Sequence, residues 1–188
     1  MNRRNLLAAA TSLVGAFAAF FAATPFIRSL LPSAKARALA EPVEIDFSAL
    51  APGQVKAYEY RGRVILVLRR SPEMMSALAD MQDRLLDASV NADPSYVAGE
   101  HRSIESEFLI VEGVCTHLAC VPQLTGVADG QRKLGGWWSG GFICPCHVSA
   151  YDYAGRVVKG PAPRNLPIPP HRYVSPTRVV IGEDTVLT

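Results

Sequence analysis

Two short stretches rich in cysteine and histidine constrain the fold of this chain more than any other feature. Residues 115–120 (CTHLAC) and 144–149 (CPCHVS) contain all four cysteines of the 188-residue sequence and two of its four histidines. Each stretch offers one cysteine and one histidine close together, with a second cysteine nearby. Thiolate sulfur and imidazole nitrogen are common metal ligands in proteins. A single site built from both stretches requires a fold that holds the two loops side by side.

The residues alone leave two simple interpretations open. Two cysteines and two histidines satisfy a tetrahedral zinc site, although Cys120 and Cys146 then have no role unless they pair with each other. Alternatively, the four cysteines form only disulfides, with three possible connectivities, and the histidines have no special role. The repeated pairing of cysteine with histidine favours a metal site over disulfides alone.

The two stretches resemble the paired boxes of Rieske proteins, in which two thiolates hold one iron of a 2Fe–2S cluster and two imidazoles hold the other. The resemblance continues through Tyr151-Asp152, Gly155-Arg156 and residues 160–166 (GPAPRNL), and it includes residues 100–104 (EHRSI) before the first box. With the apolar amino terminus, it covers essentially the whole chain. The sequence therefore looks like the Rieske subunit of bacterial ubiquinol–cytochrome c reductase complexes.

The resemblance implies a role for each residue of the boxes and of the segment that follows them. The implied ligands of the 2Fe–2S cluster are Cys115, His117, Cys144 and His147. The implied disulfide joins Cys120 and Cys146 and holds the two loops together. Ser149 corresponds to a hydroxyl donor to a cluster sulfur, and Tyr151 corresponds to a donor to a ligand sulfur; both raise the reduction potential. The implied substrate contacts are His147, His117 and Leu118, and the implied cluster-covering loop is Gly160, Pro161, Ala162 and Pro163.

The family also implies a function and partners. Its members take electrons from ubiquinol and pass them to a c-type cytochrome. They do so within a dimeric, proton-translocating respiratory or photosynthetic complex that contains a cytochrome b. Two alternatives stay open on the residues: a Rieske subunit of another exported oxidoreductase, such as arsenite oxidase, and a zinc-stabilised binding module. The net charge of only +2 gives no electrostatic support for a nucleic-acid partner.

The sequence departs from the family pattern at Ala119 and Val148, where glycine is usual. Glycine typically stands where the backbone angle φ is positive or where backbones approach closely. Valine is β-branched, and a positive φ is costly for it. Either the backbone at these positions is ordinary in this protein, or the loops are strained.

The amino terminus predicts a membrane anchor. Leu6 to Ile27 is a run of 22 residues without a charge. As a helix it spans about 33 Å, enough for a hydrocarbon core of roughly 30 Å. A removable signal peptide is the alternative, since residues 38–40 (ALA) look like a cleavage site, but the run is longer than an ordinary signal core. Arg3-Arg4 resembles a twin-arginine export signal, which places the carboxyl-terminal domain on the periplasmic side of the bacterial cytoplasmic membrane.

We therefore expect a transmembrane anchor over residues 1–31, a flexible linker or hinge over 32–43 and a Rieske head over 44–188, with cluster-binding loops at about 113–163. The head is predicted to be mainly β, an antiparallel β-sandwich with one helix inserted early. The predicted strands are residues 64–68, 108–111, 141–143, 157–158 and 179–181. Ser71-Pro72-Glu73 has the pattern of a helix start, and the methionine-rich residues 74–86 form its packing face. Residues 91–99 are predicted to be a loop.

Overall fold

The computed structural model describes residues 2–39, 41–87, 93–97 and 99–183. The chain divides into two compact units, Met1–Leu39 and Ala40–Thr188. Part of the predicted loop at residues 91–99 and the last residue of the possible cleavage site at 38–40 lie outside the described residues.

The first unit is helical. Helix α1 spans Arg3–Ser29 and is followed by the short helix α2, Ala34–Leu39. Helix α1 is long and apolar enough to cross a membrane, and none of its residues is buried against protein. A helix that is apolar all round and has no protein partner is stable where lipid surrounds it, so α1 fits a membrane anchor. Helix α2 lies within the predicted linker, where alanine favours helix.

The second unit is mainly β, as predicted. Its strands are β1 Val43–Asp46, β2 Val55–Tyr60, β3 Arg63–Arg69, β4 Phe108–Glu112, β5 Gln123–Thr125, β6 Gly141–Ile143, β7 Ala150–Tyr151, β8 Val157–Lys159, β9 His171–Ser175 and β10 Arg178–Ile181. They form three antiparallel sheets with the orders β1-β10-β9, β2-β3-β4 and β5-β6-β7-β8. All five predicted strands are confirmed, each within a residue or two of its expected bounds.

Strand β3 is the centre of the layered arrangement. Its uninterrupted apolar run is explained by burial on both faces, since successive side chains of a strand point in opposite directions. Leu66 and Leu68 pack in the core that contains Cys115 and Cys144. Ile65 and Val67 pack on the other side, against residues of the β1-β10-β9 sheet. The β2-β3-β4 sheet is thus the middle layer, and one of its faces supports the cysteine-containing loops.

Two α-helices occur in the described part of the β unit. Helix α3 spans Pro72–Asp80 and begins as predicted: Ser71 caps it by accepting a hydrogen bond from the Met74 amide, and proline is its first residue. The helix ends at Asp80, so the packing face predicted over residues 74–86 is too long: a single turn of 3-10 helix follows, Gln82–Arg84, and Leu86 is 61% exposed. Helix α4, Val127–Leu134, was not predicted. Its interior glycine, Gly130, weakens the helical signal but is required, because a Cβ there would lie 1.9 Å from the Trp138 ring.

Candidate metal centre

The two cysteine-containing stretches form loops of the same design. The first follows β4 after a short connection, and the second follows β6 directly. Each loop is closed by two backbone hydrogen bonds: Cys115 N–H to Cys120 O (2.8 Å) with Ala119 N–H to Cys115 O (2.9 Å), and Cys144 N–H to Ser149 O (2.8 Å) with Val148 N–H to Cys144 O (3.0 Å). A closed backbone holds the side chains of each loop in a fixed direction before any ligand binds.

The loops bring the four predicted ligands together as two pairs of like donors. Cys115 and Cys144 are free and buried, each 2% exposed, and both belong to the same buried core cluster. The rings of His117 and His147 meet edge to face, with centroids 4.8 Å apart. His147 is exposed, and His117 is partly exposed. A pair of buried thiols beside a pair of accessible imidazoles suits a two-iron cluster, because each iron then receives one kind of ligand.

Cys120 and Cys146 join the loops covalently. Their sulfurs form a disulfide, with the two Cα atoms 6.6 Å apart. This is the pairing that the family resemblance implies. The sulfurs of Cys120, Cys144 and Cys146 lie within 4.8 Å of one another, but disulfide sulfurs offer no thiolate to a metal. Cys144 is therefore the only one of these three that can serve as a thiolate ligand.

The two free thiols differ in acidity. Burial acts to raise the pKa of Cys115, but hydrogen bonds, first that from the Tyr151 hydroxyl, outweigh it and lower the pKa below its ordinary value. Burial raises the pKa of Cys144, and the neighbouring Cys115 sulfur raises it further. The lowered pKa favours the thiolate form of Cys115, which is the form that binds metals.

Two hydroxyl groups on and beside β7 point toward the thiols. Tyr151 is fully buried, donates a hydrogen bond to the Cys115 sulfur over 3.2 Å and accepts one from the Thr116 amide over 3.2 Å. Burial, followed by the bond to Cys115, raises the pKa of Tyr151, so the phenol keeps its proton and stays a donor. Ser149 is also fully buried, and its oxygen accepts from the Ala162 amide over 3.0 Å. This leaves the Ser149 proton free for another acceptor.

Residues 160–164 are tied to both loops. The Ala162 amide bonds Ser149 of the second loop, and the Thr116 hydroxyl of the first loop donates to the Arg164 carbonyl over 2.7 Å. Ala162 is buried, while Pro161 and Pro163 are exposed. The predicted covering loop is therefore anchored next to the thiols through its central residue.

The accessible end of the centre is apolar around the imidazoles. Leu118 is 66% exposed, and Val148, which follows His147 directly, is 38% exposed. Leu118 follows His117 in the same way. An apolar partner can therefore contact the protein where a ring nitrogen is also available for hydrogen bonding.

The loops are strained at both positions where the sequence departs from the family pattern. Ala119 has φ of 64° and Val148 has φ of 59°. The structure therefore shows strained loops rather than an ordinary backbone at these positions. The left-handed backbone persists although neither residue is glycine. The amide of each residue still bonds within its loop.

Three buried arginines near the site were not predicted from the sequence. Arg70 donates to the Tyr153 carbonyl (2.8 Å), Arg102 donates to the Ala154 carbonyl (2.9 Å), and Arg156 pairs with the Asp152 carboxylate (2.6 Å). All three hold the segment that follows Tyr151. Arg102 and Arg156 do lie within motifs shared with the family, but periodicity gives no signal for a buried arginine.

Comparisons with known proteins agree with this geometry. Residues 43–170 match the family model described as "Rieske [2Fe-2S] domain". The ubiquinol-cytochrome c reductase iron-sulfur subunit of Allochromatium vinosum is 47% identical over 185 residues, which is 97% of this chain and 89% of that protein. The subunit of the same name from Rhodospirillum rubrum is 38% identical over 96% of this chain and 92% of that protein. The one from Blastochloris viridis is 37% identical over 96% and 93%.

The family match decides between the metals that the donor set permits. Two thiols and two imidazoles satisfy zinc as well as iron, but the match over the domain and the paired arrangement of like donors identify a 2Fe–2S cluster as the cofactor. The chain belongs to the Rieske [2Fe-2S] family and, within it, to the iron–sulfur subunits of ubiquinol–cytochrome c reductase.

Proposed function

We propose that this chain is the electron-transferring subunit of a quinol–cytochrome c reductase and carries single electrons from ubiquinol to a c-type cytochrome. The observation that carries the proposal is the asymmetry of the site. The thiol pair is buried, whereas the imidazole pair faces the surface beside exposed apolar side chains. A centre built in this way can meet a quinol at its histidine end while its cysteine end is held by the protein core.

Cys115 and Cys144 would hold one iron, and His117 and His147 the other. When bound, the cluster supplies one-electron redox chemistry, at a potential raised by the neutral imidazoles. The residues around the thiols fit such a group: the Tyr151 hydroxyl is directed at the Cys115 sulfur, and the Ser149 proton is available to a sulfur acceptor. Donors to these sulfurs stabilise added negative charge and therefore favour the reduced state.

His147 would bind the quinol. Its exposed ring presents to the quinol hydroxyl the nitrogen that would not bind iron. When that nitrogen has lost its proton, it accepts a hydrogen bond from the hydroxyl and then the proton itself, which leaves the ring a neutral imidazole. Leu118 would contact the apolar quinol ring, and His117 would complete the surface at the second ligand position. Electron and proton thus leave the quinol at the same place.

The partners proposed for the subunit are a cytochrome b, which supplies the quinol pocket and accepts the second electron, and a c-type cytochrome that accepts the electron from the head. One surface of the head serves both partners in turn, so the head has to move on its tether. Residues 32–43 are the proposed hinge, and they contain the short helix α2. Assembly into a dimeric complex is part of the proposal.

The function is tested in membranes of cells whose only copy of this chain is wild type, His147→Ala or His101→Gln. We expect His147→Ala to abolish the electron paramagnetic resonance signal of the reduced cluster and the ubiquinol-dependent reduction of cytochrome c. His101→Gln is the matched control: it changes a histidine of the same domain outside the two loops and should preserve both. Zinc in the purified protein, or a full signal and full turnover with His147→Ala, would contradict the proposal.

The head is proposed to lie on the periplasmic side, with α1 retained as the anchor. Protease added outside spheroplasts should then cut the head, and a paired Arg3→Lys and Arg4→Lys variant should leave it protected inside. A head that resists external protease in the wild type, while a periplasmic control protein is cut, would reverse the orientation. Recovery of the protein in the soluble fraction, with its mass reduced by the first unit, would show that the anchor is removed.

A further inference from the structure

Arg102 is buried in the same region as the cluster loops although it touches none of the proposed ligands. Arg102 is only 3% exposed to solvent. Two of its nitrogens donate to the two oxygens of Asp93, over 2.7 and 2.6 Å, and the Asp93 side chain is 8% exposed. A planar guanidinium held at both carboxylate oxygens has a fixed orientation. Its remaining donors are thereby aimed in defined directions.

Those donors bind two backbone carbonyls from different segments. One nitrogen donates to the Ala154 carbonyl over 2.9 Å, and another donates to the Leu166 carbonyl over 2.8 Å. Ala154 lies in the turn that follows Tyr151, and Leu166 lies three residues beyond the end of the covering loop. The Leu166 amide also donates to the Gly155 carbonyl over 2.8 Å, which joins the same two segments beside the guanidinium.

These two segments carry the groups that reach toward the thiols. Tyr151 donates to the Cys115 sulfur, and Ala162 fixes the oxygen of Ser149. The distance between the segments therefore determines how well both hydroxyl donors are aimed. We infer that Arg102 is a positioning residue that sets the reduction potential of the centre by holding the Tyr151 turn against the covering loop.

The backbone of Arg102 supports this role. Its φ is 48°, in the left-handed region that non-glycine residues seldom adopt. Such a conformation persists where the surrounding contacts determine it, and it is concentrated at functional sites. Here the side chain makes four hydrogen bonds. The interactions that offset the backbone cost are therefore the ones that hold the two segments together.

The test uses the full-length protein with Arg102→Lys, Tyr151→Phe and the double variant. Lysine keeps the charge for Asp93 but cannot hold the carboxylate and both carbonyls at once. We expect Arg102→Lys to lower the midpoint potential and to shift the paramagnetic resonance g values at full iron content. Because part of the effect acts through Tyr151 and the rest through Ser149, the additional fall should be smaller in the Tyr151→Phe background than in the wild type.

Val67→Ala is the control for a general loss of stability. Val67 is fully buried on the face of β3 directed away from the cluster loops. Its replacement should lower the denaturation midpoint and leave the potential unchanged. If Arg102→Lys does not accumulate, Asp93→Asn provides the same comparison, because it leaves every donor of Arg102 in place and removes its counter-charge.

The inference about Arg102 rests on the proposed ligand set. Different results would overturn the ligand set and the role of Arg102. A wild-type protein without the iron–sulfur signal would overturn the ligand set. An intact signal with an unshifted potential in Arg102→Lys, or a potential shift that simply adds to that of Tyr151→Phe, would overturn the role of Arg102 alone.

Discussion

Ala119 and Val148 occupy the same position of two matching loops, and both have a left-handed backbone. Each is the fifth residue counted from the first cysteine of its loop, and each donates its amide to the carbonyl of that cysteine. The loops therefore need a left-handed residue at this point whichever residue stands there. For residues other than glycine this conformation costs about 1–2 kcal/mol, and β-branching makes valine the worse of the two.

Val148→Gly is expected to stabilise the protein. Glycine removes the conformational cost of the left-handed backbone. Its greater conformational entropy in the unfolded chain offsets roughly 0.5–1 kcal/mol of this stabilisation. The free energy of unfolding of the cluster-loaded head should therefore rise by up to about 1.5 kcal/mol. Chemical denaturation followed by circular dichroism measures this change.

Two glycine substitutions serve as controls for that measurement. Ala119→Gly should have a smaller effect, because alanine lacks β-branching. Val174→Gly should instead destabilise the protein, because Val174 is an exposed strand residue outside the positive-φ positions. Equal effects for Val148→Gly and Val174→Gly would show that the strain at Val148 is not significant.

Tyr151→Phe is expected to lower the reduction potential and leave the cluster bound. The substitution removes the donor to the Cys115 sulfur and keeps the buried ring. A hydrogen bond worth about 1.4 kcal/mol in the reduced state corresponds to about 59 mV for a one-electron couple. Ser149→Ala should act in the same direction. Redox titration followed by the paramagnetic resonance signal measures both shifts, and a potential that rises or stays constant would refute the donor role.

Sequence patterns predicted the elements whose signals are local. The run at residues 64–68 identified β3, and Ser71 followed by proline identified the start of α3. The pairing of cysteine with histidine pointed to a metal before any comparison, but spacing alone did not separate zinc from an iron–sulfur cluster. That distinction depended on the wider family pattern.

The features that the sequence did not predict depend on contacts between distant segments. Helix α4 contains Gly130, whose role appears only when Trp138 packs on it. Arg102 is a surface residue on any hydropathy scale, and its burial follows from Asp93 and two carbonyls far along the chain. Such residues are stabilised by the assembled fold and leave no periodic pattern.

Removal of the disulfide is expected to loosen the cluster more than it changes the fold. Cys120 and Cys146 are 26 residues apart, so the cross-link removes about 3–4 kcal/mol of chain entropy from the unfolded state. A double replacement by alanine should lower stability by up to this amount and shorten the lifetime of the bound cluster, because the loops can then separate. Iron release to a chelator measures that lifetime, and an unchanged release rate would show that the other contacts suffice to hold the loops.

The buried pair Asp152–Arg156 is expected to be essential for stability, in contrast to an exposed pair of the same kind. Arg156 also donates to the Gln82 side chain and the Leu78 carbonyl, so its charge is fixed inside the protein. Asp152→Asn leaves that charge without a counter-ion and should cost about 3–5 kcal/mol. Asp129→Asn is the matched control, because Asp129 pairs with Arg132 on the surface of α4 and such pairs contribute about 0–1 kcal/mol.

Since Asp152 follows Tyr151 directly, Asp152→Asn should also lower the reduction potential, whereas Asp129→Asn should not. Equal denaturation midpoints for the two variants would show that burial of the Asp152–Arg156 pair adds nothing to its contribution.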